Sequence, residues 1–187
     1  LDIVVFGKAC AENIAEIDKP GAQIEECNLA EMQNDLDRIH FYFTKQGDIS
    51  VSELRLELQK TMQKHAGVFR NNILLNEGHE KLIQLYKSFD NIYINDKSDV
   101  FNTEFIELLE LKNLLDNALV TMHSANFRKE SRGAHSHDDY PIRDDENWLF
   151  HTIARINGYN TDISTRKVIT EVLDKEVSPV PLAKRVY

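Results

Sequence analysis

The segment from about Asp99 to Ser124 constrains this chain most. It carries Phe101, Phe105, Ile106, Leu108, Leu109, Leu111, Leu114, Leu115, Leu119 and Met122, with a narrow polar stripe through Glu107, Glu110, Asn113 and Asn117. A helix apolar around most of its circumference has to be covered from several sides, so it predicts a central helix ringed by neighbours. Three upstream segments have the matching periodicity. Leu29, Met32, Leu36, Ile39 and Phe43 recur at spacings of three and four and predict a helix over 29–45. Leu54, Leu58, Met62, Ala66 and Phe69 line one face of a second helix, 51–70, whose start is marked by Ser50 with Glu53 as a capping box and by Ile49 as a staple onto Leu54. Leu75, His79, Leu82, Tyr86 and Phe89 mark a third, over 73–89, with Asn91–Ser98 left as a loop. Together with 99–124 these form an antiparallel bundle.

The ends of the chain read differently. Leu1 to Glu16 is helical with small residues Gly7, Ala9, Ala11 and Ala15; a helical Gly costs about 1 kcal/mol relative to Ala, so Gly7 implies a close backbone approach. Lys19-Pro-Gly breaks that helix, and 19–28 is a polar connection. Beyond the central helix the pattern alternates: Trp148 to Arg155 reads as a strand, Asn157-Gly158 as a hairpin turn with Tyr159–Asp162 able to lengthen the loop, and Ile163 to Val172 as the return strand. Ser178-Pro-Val-Pro and the tail to Tyr187 are extended. The expected fold is mainly α with a small α+β end domain: a helical bundle followed by a C-terminal domain with a short β-hairpin, and strands only after Trp148. The division is 1–18, a 19–28 linker, a bundle over 29–125 and an end domain over 126–187.

Between bundle and hairpin lies the densest chemistry, Phe127 to His151. Charge beside Tyr140 and the sole tryptophan, Trp148, is not the composition of a disordered linker. Arg128, Arg132 and Arg143 are able to grip Glu130, Asp138, Asp139, Asp144 and Asp145 in bidentate fashion. With Gly133 as a turn, and Tyr140, Trp148 and Phe150 as apolar cover, the stretch reads either as a surface ion network or as a junction locking two domains. The junction residues are Arg128, Glu130, Arg132, Gly133, His135, Asp139, Tyr140, Arg143, Asp144, Asp145 and Trp148.

Composition removes several function classes. The net charge of -9, with no basic stripe, argues against nucleic acid as a partner. No apolar run approaches the length of a membrane span. Cys10 and Cys27 make neither a metal pattern nor a disulfide scaffold, which favours a reducing compartment. The chain opens on Leu1 in mid apolar run and without Met, as if cut from something longer; no basic segment marks a signal peptide.

No complete active site emerges from spacing. His135-Ser-His137-Asp138-Asp139 approaches a binuclear metal motif, but Tyr140 stands where a further His is wanted, and His123 and His151 have no second-site spacing. His79, on an apolar face, reads as a packed, hydrogen-bonded histidine and not as a ligand. Ser131 and Ser136 lack a nucleophile elbow, and Val5-Phe-Gly-Lys-Ala is neither a dinucleotide fingerprint nor a P-loop. Carboxylates beside so many arginines are held ionised, which suits structure better than proton transfer. No catalytic, cofactor-binding or metal-ligating residue is assigned.

Four segments nevertheless resemble one family, the succinate dehydrogenase flavoprotein subunits and their fumarate reductase-like relatives. They are Asp2-Ile-Val-Val-Phe-Gly-Lys-Ala, then Leu54 through Met62-Gln-Lys-His-Ala-Gly-Val-Phe-Arg70, then Arg128-Lys-Glu-Ser-Arg-Gly-Ala-His135 with Asp139-Tyr-Pro, Arg143-Asp-Asp-Glu-Asn-Trp-Leu and His151-Thr, and the ending Val180-Pro-Leu-Ala-Lys-Arg-Val-Tyr187. Fumarate reductase flavoproteins and L-aspartate oxidases share parts of the pattern. His137 departs from the family's usual Arg, and Lys8 from its frequent Arg.

The resemblance implies the C-terminal part of an enzyme that oxidises succinate to fumarate with covalently held FAD. Electrons would pass through an iron–sulfur subunit and membrane anchor subunits to quinone, on the cytoplasmic face of a bacterial inner membrane or the mitochondrial matrix side. Residues 1–18 would end the FAD-binding domain. The family's FAD-linking, substrate-binding and proton-shuttling residues lie upstream of Leu1 and map onto none here. The fragment alone would be inactive, without cofactor, structural and subunit-interacting. On the residues alone, a free-standing acidic helical adaptor stays open as the alternative.

Overall fold

A computed structural model of the protein describes residues 1–23, 26–172 and 176–183. The chain separates into two compact units, residues 1–41 and 42–187.

In the first unit, α1 (Asp2–Ile17) leaves Ile3, Val4, Phe6 and Ile17 exposed, and a Cβ at Gly7 would meet nothing within 4 Å. The close approach expected there is therefore not made among the described residues. Helix α2 (Leu29–Thr44) starts on Asn28, whose Oδ1 accepts from Ala30 N–H at 3.0 Å. Its stripe of Leu29, Met32, Leu36 and Ile39 is exposed. Its last residues belong to the second unit, where Tyr42 meets Phe89 edge-on at 5.8 Å and Phe43 packs on Phe105 at 4.4 Å.

The core of the second unit is built by three helices, α3 (Val51–His65), α4 (Asn72–Ser88) and α5 (Thr103–Phe127), which pack pairwise. Val51, Leu54 and Leu58 meet Leu75 and Leu82 and the α5 stripe Leu108, Leu111, Leu115, Leu119 and Met122, all buried. The capping box at Ser50 is formed: its hydroxyl accepts from Glu53 N–H at 3.3 Å, and Glu53 accepts from Ser50 N–H at 3.0 Å. Helix α4 is capped by Asn71 and α5 by Asn102, whose Oδ1 accepts from Phe105 N–H at 2.8 Å. Asn102 Nδ2 also donates to the Asp96 and Ser98 carbonyls, fixing the preceding loop. That cap starts α5 at Thr103, so Phe101 stands outside the helix, 97% exposed and at φ 55°, not on the apolar face assigned to it.

Helix α3 likewise stops short of residue 70. Arg70 donates from Nε to the Gly67 carbonyl and from Nη2 to the Ala66 carbonyl, satisfying acceptors at the helix end. Phe69 then faces solvent, a second departure from the periodic reading.

Strands do occur before Trp148, contrary to expectation, as two-residue parallel pairs. Strand β1 (Ile49–Ser50) lies beside β3 (Ile92–Tyr93), and β2 (Phe69–Arg70) beside β4 (Ser136–His137). After the short helix α6 (Asp145–Trp148), β5 (Phe150–Asn157) and β6 (Asn160–Lys167) form the predicted hairpin. Its register pairs Asn157 with Asn160, leaving a two-residue loop of Gly158-Tyr159. Only Gly158 has positive φ, 61°, the requirement of a II′ turn. The turn thus falls one residue beyond Asn157-Gly158, and the return strand starts and ends earlier than 163–172. The hairpin packs on α5, which is therefore covered by α3, α4 and both hairpin strands. The fold is mainly α with a small C-terminal β-hairpin.

Candidate functional site

The junction forms where α5 ends. Arg128 is its C-cap, donating its N–H to Ser124 O, and leaves the helix in extended conformation. Its guanidinium turns back to bond Glu130, the Trp148 carbonyl at 3.1 Å and the Phe150 carbonyl. It lies over the rings of Trp148 and Phe150 at 5.8 and 5.2 Å, and Phe127 closes the aromatic group against Trp148 at 5.5 Å. One side chain thereby ties the helix end to the start of the hairpin.

At the centre is Glu130, 0% exposed. Arg132 holds it bidentately, Nε to Oε1 at 2.7 Å and Nη2 to Oε2 at 3.1 Å, and Asp144 N–H donates to Oε2 at 2.9 Å. Burial pushes the Glu130 carboxyl up, but the Arg132 bonds, the Asp144 amide and Arg128 outweigh it and hold the group below the ordinary carboxylate range. Arg132 also bonds Asp145 at 2.6 Å, and Asp145 takes Arg143 at 2.7 Å, while Arg143 reaches the Ala183 carbonyl at 2.9 Å. Asp144 caps α6 through Glu146 N–H and Asn147 N–H. Gly133, at φ 59°, makes the turn in which Arg132 and His135 exchange backbone hydrogen bonds.

The remaining predicted junction residues face elsewhere. Among the described residues Asp139 does not pair with an arginine; its Oδ2 accepts from Asn72 N–H at 2.8 Å, at the positive end of α4. Asp138 contributes its backbone N–H, to Arg70 O at 2.7 Å. Tyr140 covers not Arg132 but His137, at 4.8 Å, and lies under Lys129. Lys129 in turn donates to Asn72 Oδ1 at 2.6 Å. His135 Nδ1 accepts from Arg70 Nη1 at 3.0 Å, which leaves Nε2–H to donate to Arg128 O at 3.3 Å. Burial lowers the pKa of both His135 and His137, so both rings are neutral near pH 7. His137 is fully buried with neither ring nitrogen bonded among the described residues.

Arg70, Asn72 and Lys129 therefore belong to the junction beside the predicted set. Arg70 stands 65 positions before His135, and Asn72 stands 67 before Asp139, separations that local spacing does not see. Among the described residues, no three His, Cys, Asp or Glu side chains converge as a metal-ligating group. Chemically the arrangement is a lock, a buried carboxylate held ionised between guanidinium groups.

Residues 55–187 match the family model described as fumarate reductase flavoprotein C-term, and the chain belongs to that family. Over its whole length it is 42% identical to the succinate dehydrogenase flavoprotein subunit of Rickettsia bellii, of which it covers 32%. It is 39% identical to the mitochondrial succinate dehydrogenase [ubiquinone] flavoprotein subunit of Oryza sativa subsp. japonica, covering 30%. The chain thus spans about a third of the length of these relatives and corresponds to their C-terminal part. Among solved structures, an E. coli quinol fumarate reductase chain superposes with a TM-score of 0.85 and 31% identity, over 98% of this chain and 31% of that one. No helix among the described residues is long and apolar enough to cross a membrane.

Proposed function

We propose that the chain works as the C-terminal part of a succinate dehydrogenase flavoprotein subunit. The observation that carries this reading is the 42% identity over the entire chain to such a subunit, against 31% to the fumarate reductase chain. The whole subunit oxidises succinate to fumarate with FAD. It hands electrons to an iron–sulfur subunit and, through membrane anchor subunits, to quinone. It sits peripherally on the cytoplasmic face of a bacterial inner membrane, or on the matrix side in a mitochondrion. Residues 1–18 end the FAD-binding domain, 19–28 link it to the helical domain of 29–125, and 126–187 form the end domain.

In this reading the chain's own residues perform no chemical step. FAD would supply the hydride acceptor, yet the residues described here offer it no cradle. The left-handed glycines Gly21, Gly133 and Gly158 sit at turns, and none opens a helix as a phosphate-binding loop does. The work of the chain is mechanical. Arg128 and Arg132 fix Glu130 between helix and hairpin, and Asp139 and Lys129 fasten the same stretch to α4.

Flavin absorbance and succinate-dependent dye reduction, measured on this chain alone and on the full-length subunit, test the reading. The chain alone should show neither and the full-length subunit both. Bound yellow flavin with turnover in the isolated chain would overturn it.

A further inference from the structure

The seam between α4 and α5 is a ladder of side-chain pairs. Asn126 Nδ2 donates to Asn76 Oδ1 at 2.7 Å, the rings of His79 and His123 stack with centroids 4.8 Å apart and planes 32° from parallel, and Tyr86 OH donates to Asp116 Oδ1. Each step forward on α4 matches a step back on α5, so the helices are antiparallel and these are rungs of one seam. The Tyr86–Asp116 rung is satisfied, with Lys112 donating to both. The two rungs at the other end are not. His79 Nε2, His123 Nδ1 and Asn126 Oδ1 are withdrawn from solvent without a hydrogen-bond partner, three of the seven such atoms among the described residues. That concentration is the signal, because buried polar atoms are ordinarily bonded, and His79 was expected to be.

We propose that His79, His123 and Asn126 form a binding site for a divalent transition-metal ion, zinc as the type case, that bridges α4 and α5. Two imidazole nitrogens are donors of the kind zinc accepts, at about 2.0–2.1 Å, with the weaker carboxamide oxygen and water completing the tetrahedron. The donor set discriminates by type: imidazole suits zinc, copper and nickel, whereas magnesium and calcium take oxygen ligands. Burial, and then the neighbouring His123, lower the His79 pKa against the pull of Glu80, leaving the neutral ring that a metal requires. A bound ion would join two helices of the core without reaching the junction at Glu130.

The exposed thiols of Cys10 and Cys27 would also take zinc, so the test uses the purified protein carrying Cys10→Ser and Cys27→Ser. Equilibrium dialysis with metal analysis, and thermal melts with zinc or magnesium, are run at pH 7.5. One zinc per chain is expected, with a melting temperature raised by zinc, reversed by EDTA and unmoved by magnesium. His79→Gln and His123→Gln should each weaken binding at least about tenfold, the scale on which removing even an outer-shell partner acts. Asn126→Leu should weaken it less, and His151→Gln, at an exposed position, should leave it unchanged. If one histidine variant fails to fold by circular dichroism, the other and the EDTA reversal decide. Zinc bound equally well by both variants, or no binding at a hundredfold excess, overturns the site; the seam atoms are then hydrated.

Discussion

Removing Arg132 is the sharpest perturbation of the junction. Its side chain is 27% exposed, but the carboxylate it grips is 0% exposed. Arg132→Ala deletes two bonds to Glu130 and one to Asp145. It does not leave Glu130 alone, because Arg128 and the Asp144 amide remain. The loss should therefore fall below the roughly 3–5 kcal/mol of a buried charge stripped of its partner and above the roughly 0–1 kcal/mol of an exposed pair. About 2–3 kcal/mol is expected, on the scale of hydrogen bonds to charged groups. Arg132→Lys keeps the charge but not the two-pronged grip, and should cost about 1–2 kcal/mol. Urea melts of wild type and both variants measure this: at an m-value of about 2 kcal/mol/M, alanine lowers the midpoint by about 1–1.5 M with m unchanged. If the chain works as proposed, the same variant in the full-length subunit should reduce assembly and flavin retention before it changes the KM for succinate. A midpoint unmoved in both variants would show that the bonds around Glu130 carry no stability and that the charged stretch is surface decoration.

Two other outcomes follow from the same geometry. At the buried Gly78 an added Cβ would come within 2.5 Å of His65 Cβ and 2.7 Å of Met122 Cε, so Gly78→Ala should destabilise by about 1–3 kcal/mol despite its better helix propensity, read as a lower urea midpoint. Stability should also depend on pH in two steps. His79, His135 and His137 have folded pKa values lowered by burial, so the unfolded chain protonates first; their contribution is full above about pH 6.5 and is lost as pH falls below it. Glu130 is depressed too, and its contribution is present above about pH 4.3 and lost on further acidification. Melts between pH 8 and 3 check both steps, and a midpoint rising from pH 8 to 5 would refute the first.

Much of the architecture was legible because it is written in short-range periodicity. The apolar circumference of α5 announced a helix covered on several sides, and α3, α4 and the hairpin supply that cover. Ser50 and Glu53 are three residues apart and formed the capping box their spacing implies. Where periodicity failed, a polar group had ended an element early. Asn102 capped α5 and left Phe101 outside, and Arg70 occupied the carbonyls after α3 and left Phe69 in solvent. The hairpin slipped by one residue because a single positive φ, at Gly158, suffices for its turn.

The junction divides along the same line. Arg128 and Arg132 each lie two positions from Glu130, so their pairing was visible in the chain, and the tight turn at Gly133 lets Arg132 return toward its own neighbour. Asp138 and Asp139 carry the same charge at a similar distance along the sequence, yet among the described residues neither carboxylate pairs with an arginine. The backbone explains the difference. Strand β4 pairs with β2, which sends the chain after His137 toward the start of α4, where Asn72 N–H and not a guanidinium meets Asp139. Asp144 and Asp145 are brought back to Glu130 and Arg132 by the return through Pro141 and Ile142, whose carbonyl accepts from Ser131 N–H at 3.3 Å. Carboxylates interchangeable by composition are thus separated by one two-residue strand pair. Replacing the buried charges by apolar groups of similar volume need not weaken such a core, but it would remove the directional bonds that set the α5 exit, α6 and β5 in one register. What Glu130 contributes to the fold lies in that orientation.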